Sequence, residues 1–129
     1  MKEIALALGG GGTRGISHVG VIRALEREGF SIKAIAGTSA GGIVGAAYAN
    51  GVRIDKLIDV AHKISDLSIF SQINITEPSI LGLAGLEKEL LRLIGNVKFS
   101  ELKIPFGCTA VEIESAQEFI FTKGSVIDA

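Results

Sequence analysis

Scarcities set the first bounds on this chain of 129 residues. It has no tryptophan, one tyrosine, two prolines and a single cysteine. One thiol, Cys108, excludes an internal disulfide framework. Charge is balanced, with 13 basic against 14 acidic residues and a net charge of −1, so the basic surface a nucleic-acid partner requires is missing. No stretch approaches the roughly 18 continuous apolar residues of a spanning helix. The apolar run after Lys2 is too short for the core of a secretory signal. The expectation is a single globular domain in the cytoplasm, with enough apolar content (47%) to bury a core. No cluster of metal-ligating residues is visible, so no cofactor and no metal are expected.

Glycine, by contrast, is plentiful, with 17 residues. The stretch Gly37-Thr38-Ser39-Ala40-Gly41 fits G-x-S-x-G, the pattern of a serine on a sharp turn from a strand into a helix. Ile32 to Ala36 reads as a short buried strand before it. Ala40 to Asn50 reads as a small-residue helix after it, closed by Gly51. Small neighbours give the strained serine backbone the room it needs. Its hydroxyl then projects over a helix N-terminus, whose partial positive charge favours a developing anion. A glycine-rich turn that happens to contain serine is the plainer alternative, and the flanking strand and helix argue against it.

A second glycine stretch, Gly9-Gly10-Gly11-Gly12-Thr13-Arg14-Gly15, follows the apolar strand Ile4 to Leu8 and precedes a helical pattern. Together the two motifs resemble the patatin-like phospholipases, whose G-G-G-x-[KR]-G loop and G-x-S-x-G turn occur in this order. The stretch from Ile104-Pro105-Phe106 through Thr109-Ala110 is similar to that family too, so the resemblance covers nearly the whole chain. It implies a three-layer α/β/α fold with a mostly parallel central sheet. Residues 1–129 would be the N-terminal part of one such domain, truncated at the C-terminus.

The residues in order agree with an α/β class. Ile16, Val19, Ile22 and Leu25 fall at helical spacing up to Gly29, so the first fifty residues read strand, helix, strand, helix. Asp55 to Ile64 and Leu86 to Ile94 read as amphipathic helices. Between them Leu67 to Thr76 carries no charge, which suits either packing on the sheet or a mobile flap over an acyl groove. Phe106 to Glu114 and Glu118 to Thr122 read as a hairpin, and Ser125 as the N-cap of another helix.

Acyl transfer by serine needs a nucleophile, a base and donors for the oxyanion. Ser39 is the nucleophile of the motif, and the N–H of Ala40, just after it, is a candidate donor. By resemblance, Gly10, Gly11 and Gly12 form the rest of the oxyanion hole. Arg14 holds the family's basic position, where it orients the loop or binds an anionic phosphate, or else stands solvated. The base is harder to place. His18 and His62 fit a histidine triad poorly, and the resemblance implies a Ser-Asp dyad with the aspartate in D-G-[GA]. No Asp-Gly occurs here: Asp55, Asp59, Asp66 and Asp128 precede Lys, Val, Leu and Ala. The catalytic aspartate is therefore expected beyond Ala129.

The resemblance thus implies a serine hydrolase of lipid esters, with lipid or phospholipid as substrate and transient, peripheral contact with a membrane surface. Self-association through uncovered apolar surface is a further expectation for the fragment. Two other classes compete. Gly10 to Gly15 also satisfies the dinucleotide-binding G-x-G-x-x-G, but no acidic residue ends the second strand to meet a ribose. A lipid-binding, inactive fragment is the other.

Overall fold

The computed structural model describes residues 1–66 and 80–129, and side chains for 1–62 and 86–129. Four strands, β1 (Lys2–Leu8), β2 (Phe30–Thr38), β3 (Phe106–Val111) and β4 (Glu118–Phe121), form one sheet in the order β1-β2-β3-β4. The first three run parallel, and β4 closes an antiparallel hairpin with β3. Four α-helices accompany them: α1 (Ser17–Arg27), α2 (Ala40–Ala49), α3 (Ile54–Asp66) and α4 (Ile80–Ile94). The α/β class and the mostly parallel sheet expected from sequence are present.

Strand β1 alternates cleanly, with Ile4, Leu6 and Leu8 turned inward and Ala5 and Ala7 exposed. Strand β2 breaks that period. Ile32 and Ile35 are three apart, yet both are buried. The register explains this, because Ile4 pairs with Ile32 and Ala5 already with Ala34, leaving Lys33 as an extra residue. One bulge moves Ile35 to the core face. Lys33 then points outward, 3.2 Å from Glu3.

The crossovers β1–α1–β2 and β2–α2 to β3 step in one direction along the sheet. Right-handed connections of that kind leave their helices on the same face. Val19 and Ile22 of α1 accordingly share one core with Leu8, Ile32, Ile35, Ala46 and Phe106. On the opposite face Ala5, Ala7 and Ala36 are exposed among the described residues. The sheet and one helical layer are thus described.

Helix α2 packs closest, because nearly all its inward residues are glycine or alanine. A Cβ on Gly45 would stand 2.8 Å from Ile35 Cγ2 and 2.9 Å from Phe106 Cε2, so the helix rests directly on β2 and β3. Gly51 ends α2 at φ +83°, its N–H bonded to Tyr48 O at 2.8 Å, as its place in the sequence suggests. Tyr48 reaches from α2 to α1, where its hydroxyl donates to Glu26 Oε1 at 2.7 Å.

Three local expectations change. Helix α4 starts at Ile80, six residues before the amphipathic pattern is clear. Strand β3 stops at Val111, and the hairpin turn is closed by Glu112 N–H on Gln117 O at 2.9 Å. Ser125 opens a turn rather than a helix; its hydroxyl accepts from Asp128 N–H at 3.3 Å, and Ser125 pairs with Lys98. The uncharged segment Leu67 to Thr76 lies outside the described residues.

Candidate active site

Ser39 sits between the end of β2 and the start of α2, with φ 52° and ψ −122°. A non-glycine residue in that region is strained by on the order of 1–3 kcal/mol and persists only where its surroundings dictate it. Here the surroundings are backbone. A Cβ on Gly37 would meet Gly41 O and Gly42 Cα at 2.6 Å. A Cβ on Gly41 would stand 2.1 Å from Leu8 O. The G-x-S-x-G glycines therefore let a strand and a helix meet face to face around one serine. Ile43 N–H bonds Ser39 O at 3.1 Å and closes the first helical turn. Ser39 is exposed, and its side chain points out of the packing that strains its backbone.

The other glycine stretch is brought to the same place. Gly10 lies beside the serine, where a Cβ on it would stand 3.4 Å from Ser39 Cβ. Gly11 (φ +153°) and Gly12 (φ +56°) turn the loop through conformations that side chains rarely adopt. Arg14 N–H bonds Gly11 O at 3.1 Å, and residues Gly12–Ile16 form a short 3₁₀ turn ahead of α1. Gly15 is buried against α2, where a Cβ would approach Ala40 Cβ to 2.2 Å. Ala40 is the first residue of α2, so its N–H has no intrahelical acceptor. The structure thus brings Ser39, Ala40 and Gly10 together, with Gly11 and Gly12 continuing the same loop. Arg14 is exposed and, among the described residues, joins no ion pair. It lies in the 3₁₀ turn rather than in the first turn of an α-helix.

Beside Ser39 opens a cavity of about 420 Å³. Its walls are largely apolar, from Ile43 and Ala46 of α2, Leu86 and Leu90 of α4, Phe106 of β3 and Val126-Ile127 near the end. A larger cavity of about 760 Å³, around Phe99, Pro105 and Thr122, has neither the serine nor the glycine loop in its walls. Cys108 and Thr109 also face the Ser39 cavity. Burial raises the Cys108 thiol above its ordinary pKa, so it stays a neutral thiol at pH 7. Thr109 Oγ1 lies 2.8 Å from Thr38 Oγ1 and ties β3 to the residue before the serine. Sequence reading missed both residues, since pairing β3 beside β2 is what places them here.

No described side chain is hydrogen-bonded to the Ser39 hydroxyl. Glu87 and Asp128 border its cavity, but both are exposed. His62 lies on the exposed side of α3. His18 Nε2 is 2.8 Å from Gly9 O, not at the serine. Groups of three or more potential metal ligands are absent among the described residues. None of the described helices is long and apolar enough to cross a membrane.

The chain is 34% identical over 127 residues to an NTE family protein of Mycobacterium tuberculosis, covering 95% of this chain and 34% of that protein. It is 31% identical over 128 residues to lysophospholipase NTE1 of Pyricularia oryzae, covering 95% of this chain and 8% of the relative. The chain thus spans about a third or less of the relatives it matches. In fold it is similar to a chain of the ExoU–SpcU complex from the type III secretion system of Pseudomonas aeruginosa. That match has a TM-score of 0.56 at 22% identity and covers 96% of this chain and 34% of the other. The model of the patatin-like phospholipase family matches residues 6–129, and the chain belongs to that family.

Proposed function

We propose that this chain carries the nucleophile and oxyanion loop of a serine hydrolase acting on lipid esters. The observation that carries the reading is the approach of Gly10 to Ser39, which sets a side-chain-free loop against a strained, exposed serine. In this reading Ser39 Oγ attacks the ester carbonyl while its proton passes to a carboxylate base. The N–H groups of Gly10, Gly11, Gly12 and Ala40 hold the resulting oxyanion in this reading. The alcohol leaves with that proton, and water then hydrolyses the acyl-enzyme. The base is an aspartate of an Asp-Gly-Gly or Asp-Gly-Ala motif outside residues 1–129, which is consistent with the unbonded Ser39 hydroxyl. Exposed Arg14 binds the phosphate of the substrate headgroup.

Apolar walls from α2, α4 and β3 suit an acyl chain, and the opening beside Ser39 puts the ester at the nucleophile. The fungal relatives are lysophospholipases by name, so a single-chain phospholipid is the first substrate to try. The protein works in the cytoplasm, in transient contact with a lipid surface. A dinucleotide site at the same loop is disfavoured, because Thr38, bonded to Thr109, stands where an acid would meet the ribose.

The test uses the full-length polypeptide with a lysophospholipid and a short nitrophenyl ester. Hydrolysis of both is expected, together with fluorophosphonate labelling at Ser39, and Ser39→Ala should abolish both. Hydrolysis retained by the alanine variant refutes the nucleophile. Lipid binding without turnover selects a binding protein instead.

A further inference from the structure

His18 is the second residue of α1, is half-buried, and holds its Nε2 2.8 Å from the carbonyl oxygen of Gly9. A carbonyl only accepts, so the ring must carry a proton on Nε2 and donate it. Gly9 is the first residue beyond β1 and the point from which the glycine loop departs. From Gly9 to Gly12 the loop has no side chain with which to anchor itself, and glycine explores the widest backbone range of any residue. Its far end is held by Arg14 N–H on Gly11 O. Its near end is held by His18.

The chemistry of the peptide group makes that near anchor directional. The bond between Gly9 and Gly10 is planar and trans, as no cis peptide is found among the described residues. In such a unit the C=O of one residue and the N–H of the next point in opposite directions. Fixing Gly9 O therefore fixes the direction of Gly10 N–H. Gly10 is the loop residue beside Ser39.

We propose that His18 is a positioning residue that latches the Gly9–Gly10 peptide and so aims the Gly10 N–H. The proposal rests on the oxyanion role given to this loop above. In it, His18 neither takes the proton of Ser39 nor touches substrate. It prevents the peptide from turning over, an event that would present Gly9 O to the oxyanion in place of Gly10 N–H.

Two replacements separate the latch from packing. In the full-length protein, His18→Leu keeps comparable bulk without a donor, whereas His18→Gln returns an amide N–H at similar reach. For His18→Leu, kcat should fall by about 10- to 100-fold with KM changed by less than about threefold. His18→Gln should recover most of kcat. Equal loss in both variants, or wild-type kcat in His18→Leu, overturns the latch. The ¹⁵N spectrum supplies a readout independent of turnover. The imidazole should show its proton on Nε2, and the Gly10 amide resonance and exchange rate should change in His18→Leu and return in His18→Gln. A proton on Nδ1 alone, or an unchanged Gly10 amide in His18→Leu, refutes the proposal whether or not the protein hydrolyses lipid. Absent Ser39-dependent turnover with these spectral changes intact would instead refute the hydrolase reading and leave the latch standing.

Discussion

Adding one methyl group at Gly41 is the most exacting test of how the candidate site is held. An alanine Cβ there would lie 2.1 Å from Leu8 O, 2.5 Å from Leu8 C and 2.6 Å from Gly9 O. All three atoms are backbone, so no rotamer change can relieve the contact. An ordinary carbon contact begins near 3.5 Å, so β1 and the nucleophile turn must part by more than about 1 Å. Overpacking of this kind costs about 1–3 kcal/mol of stability. The displacement also carries Gly9 and Gly10 away from Ser39, and a misplacement of about 1 Å at reacting groups costs on the order of 10²-fold in rate. Gly20 of α1 is the control, since a Cβ added there would meet nothing within 4 Å. Gly20→Ala should gain about 0.5–1 kcal/mol from reduced backbone entropy. Thermal melts and the rate of fluorophosphonate labelling at Ser39 read the two effects separately. Gly41→Ala should melt lower and label about a hundredfold more slowly, while Gly20→Ala melts higher and labels normally. Wild-type labelling by a folded Gly41→Ala protein would show that the close contact does not set the site's geometry.

Two further outcomes follow from particular residues. Tyr48 is the single tyrosine in a chain without tryptophan, so absorbance near 295 nm follows its ionisation without overlap from another residue. Burial, then the hydrogen bond to Glu26 and that carboxylate's charge, raises its pKa above the ordinary 10.0. A raised folded-state value stabilises the protein fully below pH 10 and loses that contribution as pH climbs beyond it. The native chain should therefore titrate later than the urea-unfolded chain, and coincident curves would disprove the burial and pairing. At the nucleophile, Ser39→Gly relieves the φ 52°, ψ −122° strain that Ser39→Ala retains. The glycine variant should be the more stable of the two by about 1 kcal/mol in denaturant melts, and the reverse order would mean the turn is not strained.

Much of the site was legible because its requirements are backbone requirements. Gly37, Gly41 and Gly15 stand where a Cβ would collide with main chain or another Cβ, and such needs leave glycine as a visible mark at fixed spacing. The order strand, loop, helix, strand, serine turn, helix was readable for the same reason. The bulge at Lys33 was not, because an extra residue in a strand changes which face is buried without changing composition. The short 3₁₀ turn Gly12–Ile16 was not legible either, since Gly12 to Gly15 read as part of the glycine loop and Ile16 as the start of the helix after it. Cys108 and Thr109 reach Ser39 through strand pairing across some seventy residues of chain, which local pattern does not encode. The contact of His18 with Gly9 was equally hidden, although the two are only nine residues apart. A histidine early in a helix looks like any half-exposed polar residue until the loop before it is folded back.

The meeting of Gly15 with Ala40 has a consequence for how far such a sequence can diverge. The loop that leads into α1 and the helix that follows Ser39 bear on each other through main chain and a single methyl. No rotamer takes part in that contact. The larger core residues nearby, among them Val19, Ile22 and Leu57, can therefore exchange volume with one another without changing the spacing between the two loops. Substitution in the core alters how firmly the frame is supported, whereas the distance across the site is fixed by atoms that nearly every residue possesses. Drift should then be confined to the positions that leave the geometry untouched, with a handful of glycines outlasting the apolar sequence around them.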